Sequence, residues 1–188
     1  EAVMEAAISV MSERGYAATS IQEVAERVGV LKGSLYHYFS SKEELLERIL
    51  EESHRDSSGI AERIATLGLD PGDELFTYLH ELAVWYLTHV ERANIYFAEG
   101  RHLTGERRER VRERGRQFAG HIADLLDRAR ESGAIAIAVD PTIVRRFVIG
   151  SLNNVRTWKG SANPPAATVD ELADAFVVFM RNALLATD

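Results

Sequence analysis

Lys32, Tyr36 and His37, with Lys42 a short way downstream, are the residues of this chain whose types and spacing could do chemistry. That chemistry is recognition rather than catalysis. An ammonium, a phenol and an imidazole set close together are hydrogen-bond donors for phosphate oxygens and base edges. Lys42 opens a helical segment, where a cation opposes the helix dipole but suits a phosphate that free backbone N–H groups already face. The chain has no Ser–His or Cys–His signature, no P-loop, no G-x-G-x-x-G and no H-E-x-x-H motif. Its six histidines show no metal-ligand spacing. The expectation is a protein that is not an enzyme and holds no metal or cofactor.

The elements that must position these donors lie in residues 19–46, TSIQEVAERVGVLKGSLYHYFSSKEELL. Ser20 and Glu23 form an S-x-x-E capping box, so a helix starts just after Ser20. Ile21, Val24, Ala25 and Val28 recur at helical spacing and face a core. Gly29 supplies the left-handed backbone that ends this helix. A second helix of about two turns follows. Its Leu31, Leu35, Tyr38 and Phe39 are expected to point inward, with Lys32, Ser34, Tyr36 and His37 left on the outer side. Ser41 and Glu44 make a second capping box for a third helix. A short helix, a tight turn and another short helix are the plan of a helix-turn-helix, which places one helix in the major groove of DNA.

The run GVLKGSLYHYFSSKEELL closely resembles the DNA-binding signature of TetR-type (TetR/AcrR) transcriptional regulators. The preceding AAISVMSERGYAATSIQEVAERVGV is similar to that family's first helix, Gly-Tyr turn and second helix, so the resemblance spans roughly residues 2–50. It implies an all-α fold, with an N-terminal three-helix domain over 1–45 and a larger helical effector-binding and dimerisation domain over 46–188. It also implies a cytoplasmic homodimer that represses by binding a palindromic double-stranded operator and is released by a small hydrophobic effector. By matching positions, Thr19 and Ser20 contact phosphate. Lys32, Gly33, Ser34 and Tyr36 face bases or backbone, and His37 and Lys42 hold phosphates. One position departs from the pattern. Leu31 stands where the family usually has Ser or Thr at the cap of the recognition helix, and a lost cap costs about 0.5–2 kcal/mol. Either the helix starts elsewhere, or Leu31 meets a thymine methyl group.

Composition fits a globular chain with a sizeable core: 188 residues, 46% hydrophobic and 27% charged. With no cysteine there is no disulfide, thiolate chemistry or Cys-ligated zinc. No apolar run approaches the ~18 residues of a membrane span, and no signal peptide is visible. Because the chain starts at Glu1, an upstream segment is expected, and a short basic arm there is typical of the family. The net charge of −7 runs against nucleic-acid binding. Over residues 1–54, five Lys and Arg oppose ten Asp and Glu. Between Thr19 and Lys42, however, three basic residues oppose only Glu23 and Glu26. With screening over about 8–10 Å, that local balance governs the surface.

The rest reads as helices broken by turns, without a repeat. Apolar stripes run through 42–66 and 73–91, a short helix covers about 92–100, and a long charged helix covers 104–131. Asp140-Pro141 starts another helix, and Thr168 opens the last. AIAIAV at 134–139 is left as a loop, as is GSANPPA. The last helix carries two stripes, one of Leu172, Phe176, Val177, Met180 and Leu184 and another of Ala175, Val178, Phe179 and Asn182. With Phe147, Gly150, Ser151 and Asn154 on the preceding helix, the second stripe predicts a four-helix dimer interface.

The candidate effector pocket draws on Tyr78, Trp85, Tyr86 and His89, with Tyr96 and Phe97 close behind them. Phe118, His121, Arg156 and Trp158 are expected to converge on these. The segment GSLNNVRTWK, which includes Asn154, resembles that of TetR-like regulators sensing acyl-CoA thioesters, and Arg156 suits an anionic or carbonyl partner. Arg108, Arg112 and Arg116 recur every fourth residue. They fit either the phosphates of a CoA group or a solvated helix with Glu106–Arg110 pairing. A helical protein-interaction regulator without an inducer stays open as the alternative.

Overall fold

A computed structural model describes residues 2–159 and 166–185; GSANPPA falls almost wholly outside them. Among the described residues all regular structure is helical. The elements are α1 (Ala2–Ala18), α2 (Ile21–Val28), α3 (Lys32–Leu35), α4 (Lys42–Ala65), α5 (Pro71–Thr88), α6 (Val90–Glu99), a 3₁₀ turn (Gly100–His102), α7 (Gly105–Glu131), α8 (Pro141–Val155) and α9 (Val169–Leu184). AIAIAV is indeed a loop, its Ala136 amide donating to the Leu184 carbonyl at 2.8 Å. No described helix is long and apolar enough to cross a membrane.

The chain divides into two compact units, Glu1–Arg55 with Glu91–Gly115, and Asp56–Val90 with Arg116–Asp188. In the first, Val10, Met11, Val24, Ala25, Leu35, Leu45, Leu46, Ile49 and Leu50 form a core, which Ile95, Leu103 and Val111 complete from far along the chain. Each burial of such a side chain contributes about 1.5–3 kcal/mol. Polar ties join the same elements. Glu43 accepts from the amide and hydroxyl of Thr104 at 2.7 and 2.9 Å. Buried Glu47 accepts from Arg107 at 2.8 Å and from Arg110 at 2.5 Å. A buried carboxylate needs such partners, because desolvating it alone costs more than any packing nearby returns. Of the two readings of the arginine-rich helix, the pairing exists: Arg110 also reaches Glu106, at 3.7 Å.

The second unit is organised around α5, which packs against α9 and α8. Asp70 caps α5 through the amides of Gly72 and Asp73, with Pro71 at the first turn. Gly72 sits so near Ala134 that a Cβ there would lie 2.6 Å from the alanine Cβ. Asp140 caps α8, and Thr168 with Glu171 forms a capping box on α9. The two stripes of α9 part company. Leu172, Phe176, Met180 and Leu184 are buried, whereas Val178 and Phe179 are 58% and 64% exposed. On α8, Phe147 is 71% exposed. Gly150 and Asn154 are also outside, and Ser151 is half-buried.

Candidate nucleic-acid interface and effector site

The framework of the interface follows from local rules. Gly15, at φ +76°, interrupts α1 near its end. Buried Thr19 closes the helix there, its hydroxyl donating to the Gly15 carbonyl at 2.9 Å. Ser20 caps α2: it accepts from the Glu23 amide at 3.2 Å, and the Glu23 carboxylate accepts from the Ser20 amide at 2.9 Å. Gly29, at φ +71°, donates to the carbonyls of Ala25 and Glu26 and turns the chain. Outside this turn Arg27 binds Glu13, whose carboxyl the guanidinium holds down at about 2.

The recognition segment is shorter than its periodicity predicts. Only Lys32–Leu35 is α-helical, and residues 36–38 form a turn. Leu35 and Phe39 are buried as expected, but Leu31 and Tyr38 point outward, 81% and 63% exposed. The α-helix ends at Leu35, although the Phe39 amide still donates to the Leu35 carbonyl at 2.9 Å. Leu31 occupies the cap position with extended backbone and makes no side-chain cap bond. Lys32, Gly33, Ser34, Tyr36 and His37 are all exposed. Among the described residues their side chains make no hydrogen bond or ion pair within the chain; the Lys32 ammonium lies 5.8 Å from the Tyr36 ring centre. A Cβ added at Gly33 would meet nothing within 4 Å. The fold therefore gives no reason for a glycine in this exposed helix, where it costs roughly 1 kcal/mol against alanine.

Three residues expected at phosphate also serve the fold. Thr19 is buried, and Ser20 is held in its capping box. The Lys42 ammonium donates to the carbonyls of Tyr16, Ala17 and Thr19 at 2.8, 3.1 and 2.8 Å, and sits 4.5 Å from the Tyr16 ring centre. A lysine has three N–H donors, so all are used. The signal for this in the sequence is that the carbonyls at a helix C-terminus favour a cation. The second capping box is also shifted. The Glu44 amide bonds Ser41 at 3.1 Å, but its carboxylate reaches the Ser40 amide at 2.9 Å; Ser40 and Arg48 hold the Glu44 carboxyl down at about 2.

In the second unit the candidate effector residues bond one another. The Trp85 indole donates to Asp56 at 3.0 Å, stacks on His89 at 5.0 Å, and meets Tyr86 edge-on at 5.4 Å. The Tyr86 hydroxyl donates to Asn153 at 3.2 Å, while Asn154 is exposed beside Thr157. Sequence reasoning thus singled out the neighbour of the asparagine that meets the aromatic group. Tyr78 packs edge-on against His121 at 4.9 Å; burial pushes the Tyr78 phenol up and the His121 imidazole down. Trp158 faces Phe176 at 6.4 Å, and Phe118 and Arg156 are half-buried. Phe97 belongs to the first unit, with Tyr96, whose hydroxyl lies 3.1 Å from His54. Among the described residues no group of three His, Asp or Glu is placed to hold a metal ion.

An all-helical chain carrying a capped helix, a glycine turn and a short outward-facing helix is a helix-turn-helix regulator. Residues 3–49 match the profile "Bacterial regulatory proteins, tetR family", and residues 68–184 match "Tetracyclin repressor-like, C-terminal domain". The chain belongs to the TetR family of transcriptional regulators, which are DNA-binding proteins and not enzymes. The HTH-type transcriptional repressor KstR2 of Rhodococcus jostii (strain RHA1) is 27% identical over 186 residues, covering 97% of this chain and 89% of its own. AibR, solved with isovaleryl coenzyme A and operator DNA, superposes with a TM-score of 0.82 at 24% identity, over 95% of this chain and 96% of its own. FadR from Bacillus subtilis, solved with stearoyl-CoA, does so with 0.76 at 20% identity, over 97% and 98%.

Proposed function

We propose that this chain is a cytoplasmic repressor, working as a homodimer on a palindromic operator and released by an acyl-CoA-class hydrophobic effector. The observation that carries the DNA-facing half is the outward set Lys32, Gly33, Ser34, Tyr36 and His37, donors and a bare backbone left without use by the fold. Lys32, Tyr36 and His37 reach phosphates or base edges, Ser34 adds a hydroxyl, and Gly33 lets the DNA backbone come close. Thr19, Ser20 and Lys42 act behind them by holding α1, α2 and α4. Residues 1–45 form the reading head, and 46–188 supply effector binding and dimerisation.

Reading two half-sites requires two recognition segments about 34–36 Å apart, hence a dimer. The exposed apolar face of α8 and α9, with Phe147, Val178 and Phe179, supplies its interface. Effector chemistry is carried by the relatives solved with isovaleryl coenzyme A and stearoyl-CoA. The Trp85, Tyr86 and Asn153 cluster, with Arg156 and Trp158, offers apolar walls and polar handles for an acyl thioester. Release follows if the effector prefers the dimer state whose spacing mismatches the operator; its differential affinity sets the limit of the shift.

The test is binding of the full chain to its own promoter region over a salt series, with and without acyl-CoA. Affinity that falls steeply with salt, and DNA release by CoA thioesters but not by free acids, is the expected result. Binding indifferent to salt overturns the DNA reading; release by free acids alone overturns the effector class.

A further inference from the structure

Leu31 is the residue of the reading surface that hydrogen-bonding chemistry does not explain. Its backbone is extended (φ −71°, ψ 140°), and its carbonyl accepts the Ser34 amide at 2.9 Å, so the recognition helix does begin here. The side chain makes no cap bond and is 81% exposed, directly beside exposed Lys32 and next to Val30, itself 42% exposed. A single exposed leucine is ordinary on a protein surface. This one stands where Ser, Thr, Asp or Asn would stabilise the helix, and with 81% of it exposed it buries little in return.

DNA offers one apolar feature at the base edges of the major groove, the C5-methyl group of thymine. Phosphates and the other base-edge atoms there bind through hydrogen bonds, which a leucine side chain cannot make. We propose that Leu31 is a specificity-determining residue that covers a thymine methyl in each half-site, beside the base or phosphate met by Lys32. Burying the methyl against Leu31 removes apolar area from water on both partners, a gain available only when DNA is bound. The missing cap is then a feature of the free protein that base reading offsets. This inference rests on the operator-binding reading and names one base-reading side chain within it.

The experiment selects an operator from random double-stranded DNA with the full chain, then replaces each thymine and its symmetry mate by deoxyuridine, which removes the methyl and nothing else. One thymine position is expected to lose roughly fourfold in affinity per half-site, the effect of one buried methyl-sized group. Both half-sites together lose on the order of sixteenfold. In Leu31→Ala that penalty should fall below about twofold, at the level of an unburied methyl, and Leu31→Met should retain it. Because Leu31 is 81% exposed and makes no cap bond, both variants should keep a thermal midpoint near that of the wild type. A scan with no uracil-sensitive thymine, or a penalty undiminished in Leu31→Ala, overturns the inference while leaving operator binding intact. Failure to select any sequence overturns the operator reading, and the Leu31 inference with it.

Discussion

The surface over residues 30–38 and the aromatic groups of the second unit are both assembled from recognition-type side chains, yet they are built on opposite plans. On the first, donors and apolar groups face outward, and the chain supplies them with no hydrogen-bonding partner. In the second, Trp85, Tyr86, Tyr78 and His121 face one another, and Trp85 and Tyr86 are further bonded to Asp56 and Asn153. A surface meant for a rigid partner such as duplex DNA can be left preformed. Under the proposed function the first region is the output, and the second is where occupancy would shift an equilibrium.

The largest expected effect breaks the proposed dimer. Phe147→Asp with Phe179→Asp places charges on the exposed apolar face and should yield a monomer by light scattering. Operator affinity should fall about 10²–10⁴-fold, because the second half-site is no longer bound in the same molecule. A stable dimer with unchanged affinity would remove that face from the mechanism.

Next comes the contrast between Lys32, which faces outward, and Lys42, which faces the fold. Lys32→Ala should cost about 10–100-fold in affinity. If Lys32 holds a phosphate, the slope of log K against log salt should become shallower by about one for each phosphate no longer neutralised. Lys42→Gln removes the ammonium from the carbonyls of Tyr16, Ala17 and Thr19. It should lower the thermal midpoint and weaken binding with the salt slope unchanged; a reduced slope would return Lys42 to a phosphate.

A smaller effect with two signs sharpens the same contrast. Gly33→Ala should raise unfolding stability by roughly 0.5–1 kcal/mol, since the position has open space and ordinary helical backbone. It should at the same time weaken operator binding severalfold. Gains in both, or losses in both, would break the assignment of Gly33 to a close approach by DNA.

The smallest effect tests the core behind the reading surface. Buried His54, beside Tyr96 and Arg114, is held neutral by burial, its pKa pushed down to about 4. The unfolded chain takes up this proton first, so the stability involved is complete above about pH 6.5 and is lost as pH falls toward 4. His54→Gln should flatten thermal stability in that window. The loss as pH falls from about 4.5 toward 2, where the unfolded chain protonates Glu13 and Glu44 ahead of their depressed folded carboxyls, should remain.

Much of the head was readable because its signals are local. Capping at Ser20, the turn at Gly29 and the inward Leu35 each depend on a few neighbouring residues, and each stands as the spacing predicts. Less is legible where a side chain has more than one possible partner. Lys42 could serve a phosphate or the open end of α1, and only the proximity of α1 and α4 decides between them. Tyr38 was assigned inward by a period that stopped one turn early. The aromatic set was harder still: periodicity cannot tell Asn153 from Asn154, nor separate Phe97 from residues that belong to the other unit.

The sequence by itself determined the helical class, the helix-turn-helix with its glycine turn, the family, and the absence of a cap at Leu31. Each of these is written in short-range spacing and in residue type. Only the tertiary structure decided which donors remain available to a partner, which stripe of α9 is covered, and that Ile95, Leu103 and Val111 complete the core of the head. Hydrogen-bond satisfaction and burial are properties of neighbours in space, and here those neighbours lie up to about a hundred residues apart in the chain.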